Sequence, residues 1–419
     1  MMKWYDKLQY GAMLLMAAAV PQGWHYGLWT AALLGLVTLV KMVAQRRLGN
    51  PALTKPLRWT MAGAVVYWLV LTLSLLWSHD VATGLVVLRL KAVLLIFPVS
   101  FLLSETSYLT RPRLRGVGYA LLVGVVGAFL YFLVKAGIGA LKGVSFVSFQ
   151  NSFYALYAQE NRGIYHHAYI ALYAVVAMVF VYHELSSRWK EHKVWSRIVL
   201  IVALLLLIGY TVLVNSRAGM LAMALTALAC VVHLALTRRS WKLGLGVALL
   251  VAGGMVAVTQ LMPGYVDRIT STVENVEDDA RTSINRANFH AVMLSPVIGY
   301  GVGDYHAVQV EQYGDDGFAY GAKAEFNAHN QYMESLLAAG IPGLLALFYF
   351  LLAPLFVALK RRSRYAFTLA AVTGVVMFNL LVESMLERQM GLLFIGCLYA
   401  IMVLIMSVEE NKFAQSSKS

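Results

Sequence analysis

Along most of this chain apolar residues run for about the twenty positions that a helix needs to cross roughly 30 Å of hydrocarbon, stop at a short polar connector, and begin again. Such runs fall near 8–22, 24–43, 59–77, 81–103, 115–138, 165–183, 198–215, 218–236, 241–262, 332–358, 365–383 and 390–408. The pattern predicts an all-α, polytopic transmembrane bundle of twelve spans, because only helices satisfy their own backbone groups in lipid one segment at a time. One stretch breaks the rhythm. Residues 263–331 are long and polar, and read as a large loop between the ninth and tenth spans of a single integral membrane domain covering 1–419. The first segment carries Lys3 and Lys7 ahead of an apolar run ending Ala17-Ala18-Ala19. That is also the outline of a signal peptide, and it is read here as a retained helix.

Composition agrees with the pattern: 60% of the residues are hydrophobic, 13% are charged, and the mean hydropathy is +0.67. No soluble domain of this size matches those values. Cys230 and Cys397 both lie inside apolar runs, so neither a disulfide nor a metal cluster is expected.

A net charge of +13 raises the question of nucleic acid, and the placement of the charges answers it. Every second connector is basic, with clusters at Lys41–Arg58, Arg111–Arg115, Arg188–Arg197, Arg238–Lys242 and Lys360–Arg364. Together with both chain ends they hold 23 of the 34 basic residues. The positive-inside rule puts that side, and both termini, in the cytoplasm. Between 263 and 330 there are ten acidic and four basic residues, so the large loop is acidic and is expected outside, on the periplasmic face. The basic balance is a topology signal, and no groove-reading module is present. The segment Gly139 to Gly163, with Phe146, Phe149, Phe153, Tyr154 and Tyr157, reads as a second external stretch lying along the membrane surface.

The remaining basic residues are the informative ones. Arg217 occupies the tight external turn Asn215-Ser216-Arg217-Ala218-Gly219, where a lipid phosphate would lie. Arg89 and Lys91 sit well inside their span; two positions apart is about 200° on a helix, so they point in different directions. A charge at that depth needs a polar cavity, a partner or a route to the surface. On the last external turn Glu383, Glu387 and Arg388 flank Ser384-Met385-Leu386. If the helix continues, Glu383 shares a face with Glu387 and Ser384 with Arg388, and a structural salt bridge is the default expectation.

His329 stands where the loop re-enters the membrane, in Ala328-His329-Asn330-Gln331-Tyr332-Met333-Glu334, ahead of Gly340-Ile341-Pro342-Gly343. A neutral imidazole there suits general-base work on a hydroxyl, although on spacing alone a lone histidine at a helix start is more often a structural hydrogen bonder. Glu334 is about 140° further round such a helix and is not an obvious orienting partner. Arginine forks match phosphate oxygens, so Arg217 and Arg281, far apart in the chain, suit a diphosphate. Gly299, Gly301 and Gly303 follow Pro296 and no strand, which favours a sharp turn over a nucleotide loop.

Taken in order, Ser216-Arg217-Ala218-Gly219, Arg281 fifteen residues ahead of Pro296, the three glycines, and His329-Asn330-x-Tyr332-x-Glu334 resemble the O-antigen ligase and polymerase superfamily over roughly residues 200–400. The resemblance implies a GT-C-like glycosyltransferase in the bacterial inner membrane, working without metal or other cofactor. It would take a glycan from undecaprenyl diphosphate at the periplasmic face, and its ligase members deliver that glycan to a sugar hydroxyl of lipid A-core. Carried over, Arg217 and Arg281 bind the diphosphate and His329 is the base or positions the acceptor. Arg286, Arg89, Lys91, Asn330, Tyr332, Glu334 and Arg388 are possible supporting residues. Family members often carry an aromatic residue four positions after the loop arginine; here that position is Asn285, and Arg286 follows.

Four functions remain open. A polymerase shares donor, fold and motifs with a ligase and differs in taking another lipid-linked repeat as acceptor. A protein O-oligosaccharyltransferase of this family commonly has an extra soluble C-terminal region, whereas twelve residues follow Ser407 here. A transporter would show paired halves and midplane charges, and neither is evident.

Overall fold

A computed structural model describes residues 2–46, 48–145, 167–214, 216–238, 253 and 276–416. The described chain is helical, with no strand among the described residues. In order, the principal helices are α1 (Trp4–Ala19), α2 (Trp24–Gln45), α3 (Lys55–Met61), α4 (Gly63–Leu73), α5 (Val81–Lys91), α6 (Ile96–Leu103), α7 (Arg111–Leu141) and α8 (His167–Arg188). There follow α9 (Val194–Leu213), α10 (Arg217–Arg238), α11 (Val276–Leu294), α12 (Tyr305–Asp315), α13 (Ala319–Ala324), α14 (Gln331–Lys360), α15 (Ala366–Val382) and α16 (Gln389–Ser416).

Among the described residues, eight helical stretches are long and apolar enough to cross a membrane, α5 and α6 counting as one through a short 3₁₀ link. The segment read near 59–77 is a pair, Lys55–Met61 and Gly63–Trp77, bent by 46°. That near 365–383 is the shorter α15, and the first is the 16-residue α1. The segment near 241–262 and most of the aromatic stretch after Gly139 lie outside the described residues. The centre of the bundle is α8 and α16: 78% of the apolar window of each is buried, against 17% in α10. Those two helices are therefore surrounded by others, while α10 offers most of its surface to the outside.

Polar contacts divide the molecule into two ends. At one, buried Lys41 binds Asp6 at 2.8 Å and the Glu105 carbonyl at 2.5 Å, Arg115 pairs with Glu184 at 2.5 Å, and Ser363 and Arg361 reach Glu409 and Glu410. These are the basic connectors. The span 81–103 starts beside Asp80, whose N–H donates to Asp304, and ends just before Glu105. The loop after α10 is thus fastened at the opposite end from the basic connectors.

The described part of that loop is folded, not merely polar. Ile284, Ala287 and Tyr313 form a small core with Phe318, Ala322 and Phe326. Beneath it Asn288 donates to the Tyr313 hydroxyl at 3.1 Å and accepts from Gln309 at 2.5 Å. The acidic surplus has a local use as well. Burial pushes the Asp316 carboxyl up, but hydrogen bonds from His290 and Gln312 and the charges of His290 and Arg286 outweigh it and leave it below the usual range.

The break in α14 ties this loop to the bundle. Pro342 has no N–H to give the Ala338 carbonyl four residues earlier, and Ala339 and Gly340 leave helical geometry. The orphaned groups find partners in the loop: Tyr300 N–H donates to the Leu337 carbonyl at 2.8 Å and Gly301 N–H to Ala338 at 3.0 Å, while Ile341 N–H donates to Pro296 at 3.1 Å. Three of the groups displaced by the break are thereby paired again. Gly299 (φ 68) and Gly340 (φ 60) permit the approach; a Cβ on Gly299 would stand 2.6 Å from the Leu337 oxygen, and one on Gly340 would strike Val297 backbone. The glycine ladder is a docking turn.

Candidate active site

α14 begins at Asn330, whose side chain accepts from Tyr332 N–H at 3.0 Å and Met333 N–H at 3.3 Å and so caps two of the helix's orphan donors. Glu334 folds back, accepting from the Ala328 N–H at 2.8 Å and from the Ser384 hydroxyl at 3.0 Å. Ser384 in turn accepts from the Asn330 N–H at 3.1 Å. These contacts fix the residue between them. His329 has φ 46, a left-handed conformation unusual for a residue with a Cβ. Its ring lies against Phe326 at 6.2 Å between centroids, and its Nδ1 is 3.3 Å from Glu383 Oε2.

Glu383 reaches His329 because the last external turn is not helical. α15 stops at Val382, Glu383 and Arg388 are extended, and only Met385–Glu387 form a 3₁₀ turn. The shared faces expected for Glu383 with Glu387, and for Ser384 with Arg388, therefore do not form. Glu387 points instead into the bundle and receives Lys91 Nζ at 2.5 Å, Gln331 Nε2 at 3.0 Å and the Tyr305 hydroxyl at 3.0 Å. Burial pushes the Glu387 carboxyl up, but the Lys91 charge and these three hydrogen bonds prevail and hold it below the usual carboxylate range. Lys91 also donates to the Leu386 carbonyl at 3.0 Å, and Leu386 N–H donates to Gln331 Oε1 at 2.7 Å. The turn is pinned on both sides.

Lys91 is buried and Arg89 exposed, as their angular separation requires. Arg217 is the first residue of α10; Ser216 caps that helix by accepting from Gly219 N–H at 3.1 Å, and Gly219 packs on Ala171 of α8. Two residues along α8 from Ala171, Tyr173 donates its hydroxyl to the Met390 carbonyl at 3.0 Å, so α8, with the start of α10 packed on it, lies beside the chain that follows the turn holding His329. Arg281 is exposed on α11. It precedes Ile284 and Asn288 by three and seven residues, which puts it on the face of α11 that packs toward Phe326. Arg286 turns away to Asp316, 3.9 Å distant. Tyr332 also turns from His329: its hydroxyl donates to the Met377 carbonyl at 2.9 Å and its ring stacks on Phe348. Arg388 is exposed at the turn.

The structure thus joins His329, Asn330 and Glu334 in one constellation with Glu383 and Ser384, and links it to Lys91 through Glu387 and Gln331. Among the described residues no three His, Cys, Asp or Glu side chains converge as a metal site.

Residues 202–348 match the family model described as O-Antigen ligase. That stretch, 147 of the 419 residues, is similar to the family's domain. The matched region begins in α9 and ends in α14, so it includes Arg217, Arg281, the docking turn and His329 but not Glu383 or Lys91. The chain is also similar to the exopolysaccharide production protein ExoQ of Rhizobium meliloti (strain 1021), 26% identical over 346 residues that cover 80% of this chain and 71% of the relative. An O-antigen ligase or polymerase type of membrane enzyme accommodates both findings.

Proposed function

We propose that this protein is a glycosyltransferase of the ligase type, moving a glycan from undecaprenyl diphosphate to a sugar hydroxyl of lipid A-core without metal. The observation that carries the reading is the contact of Glu383 with His329 Nδ1 at the loop end of the bundle. With Nδ1 occupied, Nε2 is the nitrogen that receives the acceptor proton. As the new glycosidic bond forms, the bond from sugar to diphosphate breaks and undecaprenyl diphosphate leaves. Arg217 and Arg281 balance its charge, Arg217 with help from the N-terminus of α10.

The same reading makes the bundle GT-C-like with twelve spans, sets it in the bacterial inner membrane, and puts the loop in the periplasm and both termini in the cytoplasm. Sorting of the basic connectors to one end supports it. Cysteine introduced at Asp315 should react with a membrane-impermeant thiol reagent in spheroplasts, and cysteine at Arg46 should not; the native cysteines are both buried. The reverse labelling would reject a periplasmic site.

A second reading, polymerisation of lipid-linked repeats, gains support from the relative named for exopolysaccharide production. The polysaccharide pattern of a deletion strain separates the two. Loss of polymer from lipid A-core while lipid-linked polymer accumulates means ligase; a single-repeat band, or loss of free polymer, means polymerase.

A further inference from the structure

A cleft of about 130 Å³ lies between α1, α7, α8, α15 and α16 and reaches the basic end of the bundle at Arg111 and Glu184. On α16 it runs from Phe394 to Val408, fifteen residues, or about 21 Å of helix. Its deep end is Val20 and Phe394, and its mouth is Arg111, Glu184 and Tyr365. The polar side chains in its wall satisfy one another. His183 Nδ1 is 2.8 Å from the Thr368 hydroxyl, and Glu184 is held by Arg115 and Tyr119. What they leave is hydrocarbon surface, which in a bilayer fills with a hydrocarbon chain because water would find no partners there.

Arg111 differs from its neighbours at the mouth. Its Nε is buried and has no hydrogen-bond partner. Arg113 and Arg115 follow it on the first turn of α7, and Arg188 and Arg364 lie at the same end; Arg115 and Arg188 pair with Glu184 and Glu191, so Arg111, Arg113 and Arg364 leave the rim a positive surplus. A buried guanidinium N–H without an acceptor is costly, and a phosphate oxygen is the acceptor its geometry suits. We propose that this cleft binds one anionic phospholipid from the leaflet at the basic end, an acyl chain filling the groove and the phosphate meeting Arg111. The site is independent of the donor, whose diphosphate belongs at the opposite end.

The test is lipid retention, which does not depend on transfer. Protein purified in mild detergent and analysed by native mass spectrometry should retain one phosphatidylglycerol in preference to phosphatidylethanolamine. Arg111→Gln should reduce that retention about five-fold, the scale of one basic residue at an anionic surface. Leu398→Trp, which fills the groove from its partly exposed wall, should reduce retention of either lipid. Delipidated wild type should melt higher when phosphatidylglycerol is added back, and Arg111→Gln should melt as delipidated wild type does but gain nothing from the lipid. Equal retention of the two lipids, or unchanged retention in both variants, overturns the proposal.

Discussion

Two lysines are buried at opposite ends of the bundle, and what surrounds each differs. Lys41 sits among Asp6, Gln9, the Glu105 carbonyl and the ring of Tyr108, which belong to α1 and to the connector after α6. Its bonds draw helices together and nothing is left over. Lys91 meets Glu387 and the Leu386 carbonyl, and Glu387 meets Gln331 and Tyr305. Those bonds draw together a non-helical turn, the start of α14 and the loop helix α12. The same chemistry closes a joint at one end and holds open an irregular turn at the other, with Glu383 set against His329 as the result. A buried ion pair is weak evidence for net stability but strong evidence that its geometry matters, since removing one partner strands the other.

The sharpest break in the comparison should come from the loop end. His329→Ala should lower transfer by about 10²–10⁴-fold, the range for a general base, while donor binding persists because the arginines remain. Arg217→Ala should abolish transfer, and lysine there should rescue poorly because it lacks the planar fork. At the basic end Lys41→Met should leave transfer per folded molecule unchanged. Reconstituted enzyme assayed with lipid-linked donor measures all three, and an active His329→Ala protein would return that residue to a structural role.

Next in size is the loss of the pairs themselves. Lys91→Met should destabilise by about 3–5 kcal/mol, because it leaves the Glu387 carboxylate buried and uncompensated, and the double change with Glu387→Gln should recover part of that. Lys41→Met should cost a similar amount. The ends should then differ in one respect: folded Lys91→Met loses transfer and folded Lys41→Met keeps it. Thermal melts beside assays at low temperature give both quantities, and equal activity in the two variants would remove the link from Lys91 to the site.

The sequence made much of this legible. Runs of apolar residues at membrane length marked the eight stretches that, among the described residues, are long and apolar enough to cross a membrane, and basic connectors from several of them meet acidic partners at one end. The turn at the glycines and the opposed directions of Arg89 and Lys91 were readable from local spacing, whereas His329 was singled out by the family resemblance and not by its spacing. The partners were not. Glu383 lies 54 positions from His329 and Glu387 lies 296 from Lys91, and a helical wheel drawn through 383–388 assumes a helix that ends at Val382. Spacing reports neighbours on one element, whereas these bonds are set by how elements pack. The bend at 46° and the folded state of the polar loop were hidden for the same reason: the first depends on α14 and α16 packing around Gly63, the second on a core of only three buried side chains.

A smaller effect is expected at the joint between loop and bundle. Gly340→Ala should destabilise by about 1–3 kcal/mol from the left-handed backbone alone, with more from the Val297 carbonyl that a Cβ would strike. Proteolysis of the purified protein should show the loop released before the bundle melts. A variant as resistant as wild type would mean that the break in α14 does not hold the loop.

The smallest effect is a pH-dependent one at the same joint. Asp304 accepts from the His79 N–H at 2.6 Å and the Asp80 N–H at 2.8 Å, fastening the start of α12 to the turn before α5. Burial pushes its carboxyl up, but those two backbone N–H groups and the His79 ring outweigh it, so its folded pKa lies below the ordinary 3.8. A group depressed in this way adds stability in full above its unfolded pKa and loses that contribution as pH falls through the folded value. Hydrogen bonds to a charged acceptor are worth about 1.5–3 kcal/mol when buried, and at this partly exposed site about 1 kcal/mol is expected. Asp304→Asn keeps one acceptor oxygen and turns an NH₂ toward the second N–H, so it should melt below wild type at pH 7. The gap should narrow only below pH 3.8, as the wild-type carboxylate takes up its proton. Melts in detergent from pH 7 to pH 3 test this, and a gap that stays constant across that range would show that the charge of Asp304 does not fasten the loop.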